Sequence, residues 1–134
     1  MSGETDLKKL LKSMRPELNA GEYVFCALDS SAQLADVAPL GFFREWEGMT
    51  VILPRADADK AGLSYAGTFA WITLTVHSSL EAVGLTAAFS QALSKAGISC
   101  NVVAASYHDH LFVPVADADR ALAALRTLSE QAGL

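Results

Sequence analysis

Basic residues are scarce in this chain. Ten Lys and Arg stand against fifteen Asp and Glu, a formal charge of −5. No basic stripe stands out, so nucleic acid is not an expected partner. Cysteine is scarcer still: Cys26 and Cys100 each fall in a predicted strand among apolar neighbours. They read as core thiols, since a disulfide would be unusual in a reducing compartment. No uncharged apolar run approaches the length of a membrane span. The polar, acidic start, Met1-Ser2-Gly3-Glu4-Thr5-Asp6, lacks the basic and apolar regions of a signal peptide. The expectation is a cytoplasmic protein with no membrane partner. Low-complexity segments are absent, as are the Gly-x-Ser-x-Gly elbow, the phosphate-binding loop, Cys-x-x-Cys and the dinucleotide fingerprint. What remains is a chain of 134 residues, 51% hydrophobic, long enough for one compact unit or two very small ones.

The clearest pattern lies in the second half. Ile72, Leu74 and Val76 alternate with Thr73, Thr75 and His77, the period of a half-buried strand. After Val83-Gly84 a helix is predicted, with Leu85, Ala88, Phe89, Ala92, Leu93 and Ala96 along one face. Lys95 suits its negative end, and Gly97 supplies a left-handed stop. Ile98 to Tyr107 reads as a strand, His108-Asp109 as a turn and Leu111 to Val115 as the antiparallel partner. Asp117 can cap a second helix that buries Ala118, Ala121, Leu122, Leu125 and Leu128. Strand, helix, strand, strand, helix is an α+β, ferredoxin-like βαββαβ without its last strand.

These residues carry a resemblance. Val83-Gly84-Leu85-Thr86-Ala87-Ala88-Phe89, Leu93 and Ala96-Gly97-Ile98-Ser99-Cys100-Asn101-Val102 resemble the ACT domain of aspartate kinases and related small-molecule sensors. The flanks Leu74 to Glu81 and Tyr107 to His110 are similar to small stand-alone bacterial ACT proteins. The arginine-sensor proteins of animal cells look like distant relatives. The resemblance is strong over the second half and weak over the first. It implies a ferredoxin-like fold, no enzymatic activity, no cofactor, and a regulatory role in binding a small effector, an amino acid above all.

The first half reads as a degenerate copy. Leu7, Leu10, Leu11 and Met14 mark an amphipathic helix capped by Thr5 or Asp6 and ended near Pro16. Asn19-Ala20-Gly21 reads as loop. Strands are predicted over 22–28, 41–47 and 49–54, with short helices over 30–37 and after Pro54. Leu53-Pro54-Arg55-Ala56-Asp57-Ala58-Asp59-Lys60-Ala61 matches Val113-Pro114-Val115-Ala116-Asp117-Ala118-Asp119-Arg120-Ala121 at an offset of sixty. A repeat of this kind suggests two copies of one unit. The expected architecture is therefore tandem ACT-like βαββα units, 1–66 and 67–134, with antiparallel sheets and helices on one face. Three strands per copy leave a bare edge in each sheet, to be covered by the other half or by a second chain. The strands from Phe69 to Val76 and from Cys100 to Tyr107 are nearly free of charge, so neither is expected at an edge. A homodimer is expected.

The turn from Ser78 to Leu85 is the candidate site. A helix N-terminus offers unpaired N–H groups and partial positive charge to a carboxylate, and Gly84 allows close approach. An ammonium would need acceptors, such as strand-end carbonyls and Asn101. By resemblance the ligand residues are Ser78, Ser79, Val83, Gly84, Leu85, Asn101 and Val102. The bland alternative is that Gly84 only lets strand and helix pack closely and that Ser79 is a helix cap. His77 and His108 are candidates for touching the ligand or titrating. His108 and His110 could share a strand face, but no metal is expected, because a turn breaks the alternation. Asp57 and Asp117 read as helix caps, with Asp59 and Asp119 in first turns, rather than as an acid–base pair. Phe42, Phe43, Trp46, Phe69 and Trp71 read as core or sheet-face packing. A rival function is a structural module that pairs with partner proteins through sheet edges or helices. A small enzyme using His77, His108 and Asp109 is the third reading.

Overall fold

A computed structural model describes residues 6–34, 37–76 and 83–133. The chain packs as two units: residues 1–19 with 71–134, and residues 20–70. The division falls inside one strand.

The larger unit begins with α1 (Leu7–Ser13), whose first turn is capped by the Asp6 carboxylate accepting from the Lys9 amide at 3.2 Å. Strand β1 (Pro16–Leu18) follows. Its other elements come from the second half of the chain: the end of β5 (Phe69–Leu74), α3 (Leu85–Lys95), β6 (Asn101–Ala104), β7 (Asp109–Pro114) and α4 (Ala118–Ala132). Ala70, Ile72 and Leu74 of β5 are buried, while Phe69, Trp71 and Thr73 on the other face are half-buried. Helices α1, α3 and α4 pack together, and α4 also lies on β1 and β7. Phe89, Leu93 and Leu125 are completely buried in this unit. Burying a side chain such as Phe89 contributes up to about 3 kcal/mol.

The sequence reading left this unit without its last strand, and β1 supplies it. Pro16, Glu17 and Leu18 pair antiparallel with Leu74, Thr73 and Ile72. The segment read as helix end and loop is thus the cover of a sheet edge. Asn19 extends the pairing, its amide donating to the Trp71 carbonyl at 2.9 Å. One expectation fails: β6 stands at the end of the order β5-β7-β6 despite carrying no charge. At four residues it is short, which blunts an edge without charge.

In the smaller unit β2 (Tyr23–Leu28) lies beside β4 (Met49–Pro54), which pairs with β3 (Gly41–Arg44). Phe69 pairs with Tyr23 on the other side of β2. Val24, Cys26, Leu28, Val51, Leu53 and Ala58 form its core, with Ala58 from α2 (Arg55–Lys60). A four-residue 3₁₀ turn, Ser31–Leu34, stands where a short helix was expected.

The offset of sixty survives in three dimensions. Gly41 to Arg44 pair with Ile52 to Met49, and Asn101 to Ala104 pair with Phe112 to Asp109, the same register shifted by sixty. Pro54 and Pro114 both end a strand and begin a helical segment, with φ −58 and −52 and ψ 138 and 139. Apart from the repeat, α2 and α3 both exit through a left-handed glycine. The Leu63 amide reaches the Ala58 carbonyl across Gly62, as the Ile98 amide reaches Leu93 across Gly97, each at 2.9 Å. The paired aspartates differ from expectation. Asp57 sits in the first turn of α2, behind Pro54. Asp117 occupies the cap position of α4, but it pairs with Arg120 at 2.8 Å instead of bonding the helix amides.

Candidate functional site

Gly84 is the N-cap of α3 and takes a left-handed conformation, φ 98, which side chains other than glycine's rarely adopt. The direction a Cβ would take is filled, because it would meet Leu7 Cδ2 of α1 at 3.0 Å. Glycine is therefore required both by the turn and by the docking of α1. No side chain caps the amides of α3's first turn at this position. Val83, just outside, is exposed, and Leu85, just inside, is buried in the core. His77, Ser78 and Ser79 lie outside the described residues.

Asn101 and Val102 open β6, beyond the other end of α3. At 1.5 Å per residue, the eleven-residue helix between the two groups of candidates is about 16 Å long. Asn101 donates through Nδ2 to the Phe112 carbonyl at 3.3 Å, which leaves its side-chain oxygen available as an acceptor. Val102 is half-buried opposite Leu111.

His108 sits in the β6–β7 turn with Nδ1 buried and without a hydrogen-bond partner. Asp109 was read as part of that turn. It is instead the first residue of β7 and is 6% exposed, because its side chain falls on the inward face of the strand with Leu111 and Val113. Burial pushes its carboxyl above the usual range, against the opposing pull of His110 and His108.

A polar network that the sequence reading missed lies beside them. Trp71 Nε1 donates to His110 Nδ1 at 3.0 Å, and Thr73 Oγ1 lies 3.1 Å from the same nitrogen. Asn19 Nδ2 donates to Thr73 Oγ1 at 2.9 Å and to the Trp71 carbonyl at 3.2 Å. An indole N–H can only donate, so Nδ1 must accept and the neutral ring carries its proton on Nε2. Burial pushes the His110 pKa down, His108 adds to that, and Asp109 opposes it. The available signal was the shared parity of Trp71 and Thr73 on one strand. It became readable only once Asn19 was known to continue a paired strand.

The aromatics divide. Phe25 and Phe69 pack edge to face at 5.3 Å, and Trp71 stacks on Phe112 at 6.4 Å. Phe42, Phe43 and Trp46 do not pack as expected: they are 60%, 73% and fully exposed on the β3–β4 hairpin. The hairpin is an edge of the smaller unit's sheet, and among the described residues that unit's helical segments are only four and six residues long. Both cysteines are free; Cys26 is buried, and burial pushes the Cys100 thiol up to about 11. Among the described residues no group of His, Cys, Asp and Glu is placed to hold a metal ion. No helix among them is long and apolar enough to cross a membrane.

Two family profiles described as ACT domain match the chain, one over residues 2–70 and one over residues 68–127. No curated protein matches it. A Vibrio cholerae protein, described as of unknown function and a possible transport protein, is 48% identical with a TM-score of 0.84. That match covers 93% of this chain and 97% of the Vibrio chain. The regulatory subunit of aspartate kinase from Thermus flavus is 13% identical, with a TM-score of 0.67, covering 85% of this chain and 96% of that one. The ligand-free regulatory subunit from Thermus thermophilus is 14% identical, also at 0.67, covering 84% and 95%. At these identities the likeness to the Thermus proteins is one of fold. The profile matches to both halves and the Vibrio relative establish more: this chain belongs to the ACT-domain family.

Proposed function

We propose that this protein is a regulatory sensor that binds a small effector, an amino acid, and acts as a homodimer in the cytoplasm without catalysing a reaction. The observation that carries the reading is the start of α3. A left-handed glycine opens an eleven-residue helix whose first amides receive no side-chain cap at that position. Such an end attracts a carboxylate through its dipole and through first-turn N–H groups that no side chain caps among the described residues. Ser78, Ser79, Val83, Gly84 and Leu85 would hold the carboxylate, with His77 and His108 at the margin. Asn101 and Val102 would serve the ammonium through the free oxygen of Asn101 and strand carbonyls. The two groups flank α3, whose length of about 16 Å exceeds the carboxylate-to-ammonium span of an amino acid. The proposal therefore takes one group from each of two copies, which ties binding to dimerisation. Residues 1–66 and 67–134 are proposed as the two tandem units, a reading supported by the two matched ranges.

The test is a thermal-shift screen against the common amino acids. A ligand of the folded state raises the melting temperature with concentration, by the equivalent of about 2.7 kcal/mol at a hundredfold excess over Kd. The expected result is a saturable rise for one amino acid or a related pair, weakened by Asn101→Ala. No rise for any of them would remove the reading. Gly84→Val is a poor probe, because the backbone conformation and Leu7 both oppose a side chain there.

A second reading rests on a different observation. Phe42, Phe43 and Trp46 form an exposed aromatic hairpin, of the kind that marks a protein interaction surface. A partner-binding module without a small ligand would use it. Sedimentation with and without amino acids distinguishes the cases, since the sensor reading requires a dimer that amino acids alter.

A further inference from the structure

A cleft in the larger unit lies among the C-terminal ends of α1 and α4 and the start of β1. Its volume is about 470 Å³, and Lys12, Arg15, Arg126, Ser129 and Glu130 line it, with Met14 and Pro16 as its apolar part. Three cations and one carboxylate leave a local charge of +2 in a chain whose formal charge is −5. Helix dipoles explain part of this, because Lys12 lies in the last turn of α1. They do not explain Arg126, which stands more than a turn before the end of α4. Among the described residues Arg126 makes no ion pair with Glu130 one turn further on, and Lys12 has no carboxylate partner.

Arg15 is held in place at both ends. Its carbonyl accepts from the Thr75 amide at 2.8 Å and from the Thr75 hydroxyl at 3.0 Å. Its Nη1 donates to the Lys12 and Met14 carbonyls at 3.1 and 2.9 Å and to Ser129 Oγ at 3.3 Å. Ser129 is buried and donates in turn to the same carbonyls. All the anchoring runs through one nitrogen, so Nε and Nη2 keep their N–H groups for a further acceptor. A guanidinium fixed in this way, flanked by two cations with no ion-pair partner among the described residues, has the geometry and charge for an oxyanion.

We propose that this cleft binds the dianionic group of a small metabolite, a phosphate monoester or a dicarboxylate, independently of the effector site at the start of α3. Arg15 makes the forked contact, and Arg126 and Lys12 supply the remaining charge. The cleft's size admits a small organic body beside the charged groups.

The experiment titrates the full chain with glycerol 3-phosphate, succinate and, as controls, chloride at matched ionic strength and glycerol, read by calorimetry and thermal shift. One of the two dianions is expected to bind saturably and chloride to give no saturable effect. Arg126→Gln should weaken that dianion about ten- to hundredfold while leaving the unliganded melting temperature unchanged, as for the loss of one charge-assisted contact. Arg15→Lys keeps the charge but loses the fork and should weaken binding as well. A phosphate source is indicated if only glycerol 3-phosphate binds, a dicarboxylate if only succinate does. Effects that track ionic strength alone, or full affinity in Arg126→Gln, would overturn the proposal. Amino-acid binding retained by Arg126→Gln would show the two sites to be separate, so failure here leaves the effector reading standing.

Discussion

The hairpins β3–β4 and β6–β7 share register residue for residue at an offset of sixty, yet they are finished differently. In the larger unit the hairpin belongs to a sheet backed by helices of eleven and fifteen residues. The smaller unit offers a four-residue 3₁₀ turn and a six-residue helix. Where the first has Val102, Val103 and Ser106, the second has Phe42, Phe43 and Trp46, all well exposed. One backbone frame can thus serve two tasks. Both copies build a core; the one with long helices adds the left-handed start of α3, and the other leaves its hairpin aromatics exposed.

The largest break in that comparison comes from truncating the same residue type in the two copies. Phe89→Ala should cost about 3–5 kcal/mol, because Phe89 is wholly buried in the larger unit. Phe43→Ala should stay within about 0.5 kcal/mol. Urea unfolding of both variants measures the gap. Gly48 and His108, equivalent at the offset of sixty, give the next effect. A Cβ on Gly48 would lie 2.6 Å from the Leu28 carbonyl oxygen, at φ 155. Gly48→Ala should therefore cost about 1–3 kcal/mol, whereas His108→Ala, which removes an unpartnered nitrogen, should cost less than about 1 kcal/mol.

Acidity should sharpen the contrast further. Burial lowers the folded-state pKa of His110, so the unfolded chain takes up that proton first as pH falls below about 6.5. The stability His110 contributes is present at neutral pH and is lost as pH drops towards the folded value. Asp109 acts in the opposite sense at more acid pH, since its raised folded pKa makes the native state take up the proton first. Unfolding at a series of pH values should show a slope near pH 6 that His110→Gln removes. The smallest effect on stability is expected from Trp46→Ser, which gives the smaller unit's tip its counterpart from the larger. Unfolding should shift by no more than about 0.5 kcal/mol, while self-association measured by sedimentation should weaken if the hairpin is a contact surface.

Much of the frame was legible because long periodic elements announce themselves. The helix predicted from Leu85 to Ala96 runs from Leu85 to Lys95, and the repeat at Pro54 and Pro114 holds in register and dihedral angle. Strand β1 was not legible, since three residues beginning with proline carry no alternation. Its one trace was the missing fourth strand of the larger unit. Exposure of the hairpin aromatics was hidden for a related reason: parity gives a face, but only the helices decide whether that face is covered. The network around His110 depends on pairings between segments far apart in the chain. Of the candidate site, sequence marked Gly84 as the start of a helix but could not show that Leu7 fills the space beside it.

The proposed effector site joins the start of α3 to the opening of β6. An amide-resolved NMR titration of the full chain with amino acids is its sharpest test. Saturable shifts are expected, centred on Gly84, Leu85, Asn101 and Val102, with the β3–β4 hairpin little changed unless dimerisation moves it. Shifts confined to residues 20–70, or none with any amino acid at millimolar concentration, would contradict it.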